Sequence, residues 1–339
     1  LSDGSFFECI SIEAKNNIGE RRYLMDIKRY KRAIRKYILD SNYRFLINAG
    51  FGKYDAMPDK EYLEKRFACC MEKPLDLNNP ETFNEKLQWL KLYDRKPEYT
   101  VMVDKYKVRG YIKEILGEKY LIPLIGVWYD SDKIDFDSLP MQFVLKCNHN
   151  SGLGMYICKD KSSLSSGDIR KIRRDLTRGL SQDYYLTGRE WPYKDVPRKI
   201  IAEQFMKSDA GGLTDYKVHC FNGEPKLILV CKDRFTKAGL TEDFFTSDWE
   251  SLDIRRPAHP NSSAEIVKPA ELSEMLTLAK KLSENIPFLR VDFYIIEHRV
   301  YFSELTFYPA SGFGKFVPEQ WDEKLGTWLQ LPLCPANNN

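Results

Sequence analysis

The sequence has no apolar run of the roughly 18 residues that would suggest a membrane-crossing helix. It has only four histidines, and its eight cysteines form no CxxC pair. So few imidazoles argue against a His-built zinc site. The cysteines are scattered at 9, 69, 70, 147, 158, 220, 231 and 334, a pattern that predicts reduced thiols and no disulfide framework. An excess of one charge is also missing: net +3 over 339 residues is too small to mark a nucleic-acid binder. The opening "LSDGSFFECISI" lacks the basic flank and long apolar core of a secretory signal, so a cytoplasmic location is expected.

Apolar residues make up 43% of the chain, enough to fill the cores of two or three lobes. The first hundred residues read as helical and basic. In "RRYLMDIKRYKRAIRKYILD" (21–40), Ile27, Tyr30, Ile34 and Ile38 form one stripe among Lys28, Arg29, Lys31, Arg32, Arg35 and Lys36. This is either a helix with a solvated basic face or one that rests on anionic lipid, at the inner face of the membrane, or on a polyanionic partner. In "NNPETFNEKLQWLKLYDR", Asn79 and Pro80 suit a helix start, and Phe83, Leu87 and Leu90 supply a buried stripe.

From residue 104 the rhythm changes. "DKYKVRGYIKEILG" reads as a helix ended by Gly117. Strands are expected at "QFVLKCNH", "GMYICKD", "KIIAEQFM" and "DYKVHCFNGEPKLILVCKD", the last with a hairpin turn at Asn222-Gly223. Helices are expected at "SGDIRKIRRDLTRGL" and "PAELSEMLTLAKKLSENI". The class is α+β with largely antiparallel sheets.

"RVDFYIIEHRVYFSELTFYPASGF" (290–313) reads as a hairpin folded about His298. That register pairs Val300 with Ile296, Phe302 with Tyr294, Glu304 with Asp292 and Thr306 with Arg290. Alternation then places Arg290, Asp292, Glu304 and Thr306 on one face and Leu289, Val291, Phe293 and Leu305 on the other. Opposed carboxylates lie roughly 5 Å apart at Cβ and repel unless positive charge stands between them. A divalent cation on oxygen ligands would supply it.

Three further stretches carry candidate chemistry. In "FVLKCNHNSGLGMYICKD" (143–160), Lys146 precedes a loop with Gly152 and Gly154 that lets backbone N–H groups approach an anion, although a plain glycine hairpin explains it equally. The spacing is not that of a Walker A loop. In "RKIIAEQFM" an apolar strand runs out at Glu203, and in "DYKVHCFNG" Lys217 shares a strand face with His219.

The order of these pieces resembles the ATP-grasp superfamily, over roughly 104–315. Within it, "VDKYKVRGYIKE", "GREWPYKDVPRKIIAEQFM", "DYKVHCFNGEPKLI" and the 290–313 hairpin resemble the teichuronopeptide-biosynthesis, or TupA-like, group. The resemblance implies a fold of two α+β lobes clamping a nucleotide. It assigns 1–103 to a helical extension, 104–206 to the small lobe with its glycine flap and hinge, 207–330 to the lobe with the metal hairpin, and 331–339 to a tail. It also implies ATP and Mg²⁺ as cofactors. Lys105 and Lys146 would meet the α- and β-phosphates, and Gly152 and Gly154 would close over the triphosphate. Glu203, with backbone groups of Gln204 and Phe205, would meet adenine, and Lys217 would reach the γ-phosphate. Asp292 and Glu304 would hold Mg²⁺, with Arg290 over the transferring phosphoryl group or the acyl oxyanion. Thr306 stands where the superfamily usually has a metal-binding Asn. The ribose acid is left between Asp209 and Asp215.

The activity so implied joins a carboxylate to an amine through an acyl phosphate. The acceptor would be a uronic acid in a bacterial surface polysaccharide, and the amine an amino acid or amino sugar. Arg189, Trp191 and Tyr193, with Tyr184 and Tyr185, either contact that glycan or form a packed connector. Ser311 and Lys315 are candidate acceptor contacts. A glycosyltransferase would want an acidic pair such as "YDSD" (129–132) or "FDS" (136–138), and a glycan kinase would want a base, for which His219 is nearest.

Overall fold

The computed structural model describes residues 31–207, 212–234, 236 and 239–333. Residues 21–30 of the basic segment, Asp209 and the end of the tail lie outside the described residues. Two antiparallel sheets organise the chain. One has four strands in the order β1-β4-β2-β3, formed by Leu124–Trp128, Ile200–Gln204, Phe143–Cys147 and Met155–Cys158. The other has six in the order β10-β9-β5-β6-β7-β8. In chain order these are β5 (Asp215–Phe221), β6 (Glu224–Lys232), β7 (Thr241–Thr246), β8 (Ser251–Leu252), β9 (Phe288–Ile296) and β10 (Arg299–Thr306). The expected strands are all present, and β1, β7 and β8 are additional.

Residues 31–39 are helical. The further helices are α1 (Ser41–Gly50), α2 (Asp59–Met71), α3 (Phe83–Tyr93), α4 (Glu98–Val103), α5 (Val108–Ile115), α6 (Ser166–Ser181), α7 (Tyr184–Gly188), α8 (Leu272–Leu282) and α9 (Gln320–Trp328). The expected cap of α3 moves: Thr82, not Asn79, is the N-cap, because Thr82 and Glu85 form a reciprocal capping box. Phe83, Leu87 and Leu90 are buried as their spacing predicts. They join Val218, Phe288, Leu289, Val291, Phe293 and Leu305 in the core of the six-stranded lobe. The 83–103 stretch assigned to the extension thus shares that lobe's core, each large apolar side chain contributing about 1.5–3 kcal/mol by burial.

A separate core lies under the four-stranded sheet, where Phe143, Leu145, Cys147, Ile200 and Ala202 meet Ile172 and Leu176 of α6. That packing claims one sheet face. Alternation leaves Val144, Lys146, Ile201 and Glu203 on the other.

The β9–β10 hairpin departs from its expected register in its outer half. Its turn is the pair Glu297-His298, both with positive φ, so Val300 pairs with Ile295 and Phe302 with Phe293. A bulge between Phe302 and Glu304 inserts one residue, and below it Glu304 faces Asp292 and Thr306 faces Arg290 as expected. The Asn222-Gly223 turn joins β5 to β6, again with both residues at positive φ.

The two loop glycines differ physically. Gly152 has φ +82° and open space around it, whereas a Cβ at Gly154 (φ +71°) would lie 2.7 Å from Cys147 Sγ and 2.9 Å from Gly179 Cα. Gly154 therefore serves loop-to-helix packing as well as loop curvature. Gly154→Ala is expected to destabilise the protein by about 2–4 kcal/mol, combining the left-handed conformation with overpacking. Gly152→Ala should cost only about 1–2 kcal/mol. Urea denaturation of the two variants measures the difference.

Candidate functional site

Three rows of side chains cross the six-stranded sheet on its non-core face. Lys217, Asp292 and Glu304 stand opposite one another on β5, β9 and β10, and the next row is His219, Arg290 and Thr306. Asp215 faces Tyr294 at the far end. Alternation on three central strands thus delivers two carboxylates, a lysine and an arginine to one patch.

The two acids face each other as read from the sequence, but Arg290 occupies the space between them. Its Nε donates to Asp292 Oδ1 at 2.6 Å, and its Nη2 donates to Asp292 Oδ2 at 2.7 Å and Glu304 Oε1 at 3.2 Å. Lys217 Nζ donates to Asp292 Oδ2 at 2.6 Å. Burial alone would raise the Asp292 carboxyl, but the Arg290 and Lys217 charges outweigh it and hold it below its ordinary 3.8. Burial likewise opposes charge on Lys217 and Arg290, and in each it is outweighed by Asp292 together with a second carboxylate, Asp215 for Lys217 and Glu304 for Arg290.

Lys105 follows α4 and sits in the chain between Met102 and Val103 on one side and Val108 and Ile112 on the other, all in the core of the six-stranded lobe. Its Nζ lies 3.8 Å from Glu304 Oε2 and donates to the Asn150 carbonyl at 2.7 Å. Burial lowers its affinity for the proton, with Glu304 opposing. The base of the glycine loop is fixed by amides: Asn148 Nδ2 donates to Asp104 Oδ1 at 2.7 Å, and Asn150 Nδ2 to Gln182 Oε1 at 3.1 Å. Deeper in the small lobe, Lys146 pairs with Glu203 Oε2 at 2.6 Å, and Arg109 lies 3.4 Å from Glu203 Oε1. The ion pairs form two groups: Lys105, Lys217 and Arg290 with Asp292 and Glu304, and Lys146 and Arg109 with Glu203, each with one more cation than carboxylate.

The family model described as TupA-like ATPgrasp matches residues 85–330. The chain belongs to the TupA-like ATP-grasp family. ATP-grasp enzymes are generally ATP-dependent ligases that bind ATP with Mg²⁺. No curated protein matches the chain. Among solved structures, D-alanine–D-alanine ligase from Helicobacter pylori is 17% identical, covering 73% of this chain and 69% of that one, with a TM-score of 0.38. The Bacillus anthracis D-alanine–D-alanine ligase complexed with ATP is 18% identical over 61% of this chain and 53% of its own, with a TM-score of 0.35. A RimK domain ATP-grasp protein from Sphaerobacter thermophilus is 10% identical over 70% of each chain, with a TM-score of 0.38. At these scores the likenesses add nothing to the family match.

The donor set suits the magnesium that ATP-grasp enzymes bind. Asp292 and Glu304 are hard oxygen ligands sharing one cationic partner, and Mg²⁺ is usually held by one or two carboxylates plus substrate phosphates. Both Asp292 oxygens are engaged by Arg290 and Lys217, so the guanidinium has to yield for a metal to share that carboxylate. Among the described residues no group of three or more His, Cys, Asp or Glu gathers as a metal cluster. Thr306 stands beside the pair on β10, opposite Arg290.

Several expected contacts fall elsewhere. Arg189 is 2% exposed, donates to the Tyr54 and Asp55 carbonyls and lies over the Tyr62 ring, so it clamps a turn and cannot reach a glycan carboxylate. Lys315 pairs at the surface with Glu72. Trp191 packs into the large core beside Tyr99. Ser311 is buried, with its hydroxyl donated to Glu190. The Gln204 N–H is spent on the Pro123 carbonyl and is not free for adenine. Asp215 is buried 3.5 Å from Arg234. Of the acids in 129–132 and 136–138, Asp130 accepts from the Asp132 N–H, Asp132 lies 3.8 Å from Arg173, and Asp137 donates its backbone N–H to Asp135.

Sequence reasoning also missed a buried network. Lys91, fully buried, donates to Gln88 Oε1 and to the Gly188 and Ser311 carbonyls at 2.7–2.9 Å, beside the Glu190 carboxyl. Burial pulls the Lys91 ammonium down and pushes Glu190 up. This network pins the turn that follows β10, where Ala310 and Ser311 both have positive φ. Its one sequence signal is a lysine on the apolar face of α3, and apart from Gln88 its partners are about a hundred or more residues away.

Arg290→Gln leaves two close carboxylates with less compensating charge, and breaking a buried pair costs about 3–5 kcal/mol. A lowered folded-state value means that the Asp292 contribution is present above 3.8 and is lost as pH falls through the folded value. The variant lacks much of that contribution from the start, so its deficit against the parent should be largest near pH 7 and narrow as pH falls, and Mg²⁺ should restore more thermal stability to it than to the parent. Circular dichroism melts from pH 7 downward, with and without Mg²⁺, check both.

Proposed function

We propose that this chain is an ATP-dependent carboxylate–amine ligase that forms an amide through an acyl phosphate. The carboxylate is a uronic acid of a bacterial surface polysaccharide, in capsule, O-antigen or teichuronopeptide biosynthesis, and the amine is an amino acid or amino sugar. The single observation that supports it is the convergence of Lys105, which also holds the Asn150 carbonyl of the glycine loop, with Lys217, Arg290, Asp292 and Glu304 of the six-stranded sheet. That set offers charge to a triphosphate from two sides and carboxylates to its counter-ion.

Each residue has a defined task in this reading. Lys105, Lys146 and Lys217 neutralise phosphate oxygens, since phosphoryl transfer depends mainly on positioning and electrostatics. Asp292 and Glu304 hold Mg²⁺, which supplies further charge neutralisation when bound. Once it releases Asp292, Arg290 carries two N–H donors that suit an oxyanion. The substrate carboxylate attacks the γ-phosphorus, and ADP leaves. The amine then attacks the acyl carbon, and phosphate leaves.

Incubation with Mg-ATP, candidate uronates and hydroxylamine should give a hydroxamate and ADP. A phosphorylated sugar without hydroxamate would identify a kinase, and sugar-nucleotide turnover without ATP would identify a glycosyltransferase. Glu304→Gln should lower hydroxamate formation by at least about 100-fold while the far-ultraviolet spectrum stays unchanged. Parent-level activity in that variant would remove the site assignment.

A further inference from the structure

The helix at 31–39 is turned inside out. Ala33, Tyr37 and the following Asp40 are its half-buried positions, with Tyr37 donating to Asn48 Oδ1 of α1 at 2.8 Å. The aliphatic residues point away: Ile34 is 56% exposed, Ile38 63% and Leu39 70%. Ile34 and Ile38 are one turn apart, so they share a face. Lys31, Arg32, Arg35 and Lys36 are exposed around them, and no acid lies within 31–39. A helix whose apolar side faced a core would bury Ile34 and Ile38. This one offers them outward, ringed by cations.

We propose that this surface, residues 31–39, binds the face of an anionic lipid bilayer. Aliphatic side chains gain by leaving water at the acyl boundary, while flanking lysines and arginines sit at the headgroup level beside negative phosphates. A second copy of the chain is a poorer occupant, because pairing these faces would bring two sets of four cations together with no acid between them. Nucleic acid would satisfy the cations but leave the isoleucines in water. The placement brings the enzyme to a membrane-attached acceptor whatever reaction the cleft performs.

Co-sedimentation with vesicles tests the inference. The parent should bind vesicles of equal parts phosphatidylglycerol and phosphatidylcholine, and bind phosphatidylcholine alone roughly tenfold or more weaker. Ile34→Ser/Ile38→Ser should lower the bound fraction by a similar factor at unchanged melting temperature and unchanged Mg-ATP binding. Arg35→Glu/Lys36→Glu should do the same and remove the salt dependence. Equal binding to neutral vesicles, no binding to either, or full binding by both variants would overturn the proposal. A dimer in sedimentation velocity that Ile34→Ser/Ile38→Ser dissolves, without vesicle binding by the parent, would assign the face to a second copy instead.

Discussion

One guanidinium held between two carboxylates is the interaction on which the site depends. Adjacent antiparallel strands force Asp292 and Glu304 together, and nothing in the backbone relieves their repulsion. Arg290, two residues before Asp292 on the same face, relieves it from within the hairpin. Lys217 adds a second cation from the neighbouring strand, so Asp292 stays charged although it is 1% exposed. An ionised carboxylate at that depth is tolerable only because it is paired and hydrogen-bonded on both oxygens.

The same charges tie the two lobes. Lys105 contacts Glu304 on the large-lobe hairpin and the Asn150 carbonyl on the small-lobe loop, so one side chain touches both walls of the cleft. Its backbone N–H donates to the Asn148 carbonyl, and Asn148 in turn is anchored on Asp104. The glycine loop is therefore rigid at its base and open at Ser151 and Gly152, which are exposed. The pairing of Lys146 with Glu203 keeps its ammonium oriented inside the lobe.

Period-two alternation made most of the large-lobe site legible in the sequence. Lys217, Asp292, Glu304 and Arg290 belong to strands whose other faces are almost fully apolar, and one buried face fixes the register strongly. The bulge between Phe302 and Glu304 left no local signal, yet it cancelled the extra turn residue, so the inner pairing was read correctly over an incorrect outer pairing. What sits between the acids was not legible, because a strand pattern gives faces and not rotamers. Arg189 shows the opposite failure. Its neighbours look like a glycan platform, but its partners are the carbonyls of Tyr54 and Asp55, about 130 residues away. The Lys91–Glu190–Ser311 network was hidden for the same reason. For Ile34 and Ile38 the sequence left two readings open, a helix with a solvated basic face or one resting on anionic lipid or a polyanionic partner, because a stripe pattern does not say which way it faces.

Arg290 holds the place that a metal-bound nucleotide would take at the two acids in the proposed reaction. A crystal structure with Mg²⁺ and a non-hydrolysable ATP analogue is the most direct measurement. It should show the triphosphate among Lys105, Lys146 and Lys217, the metal on Asp292 and Glu304, and Arg290 displaced from its bidentate contact with Asp292. Nucleotide bound elsewhere, or Arg290 still gripping both acids with no metal beside them, would contradict it.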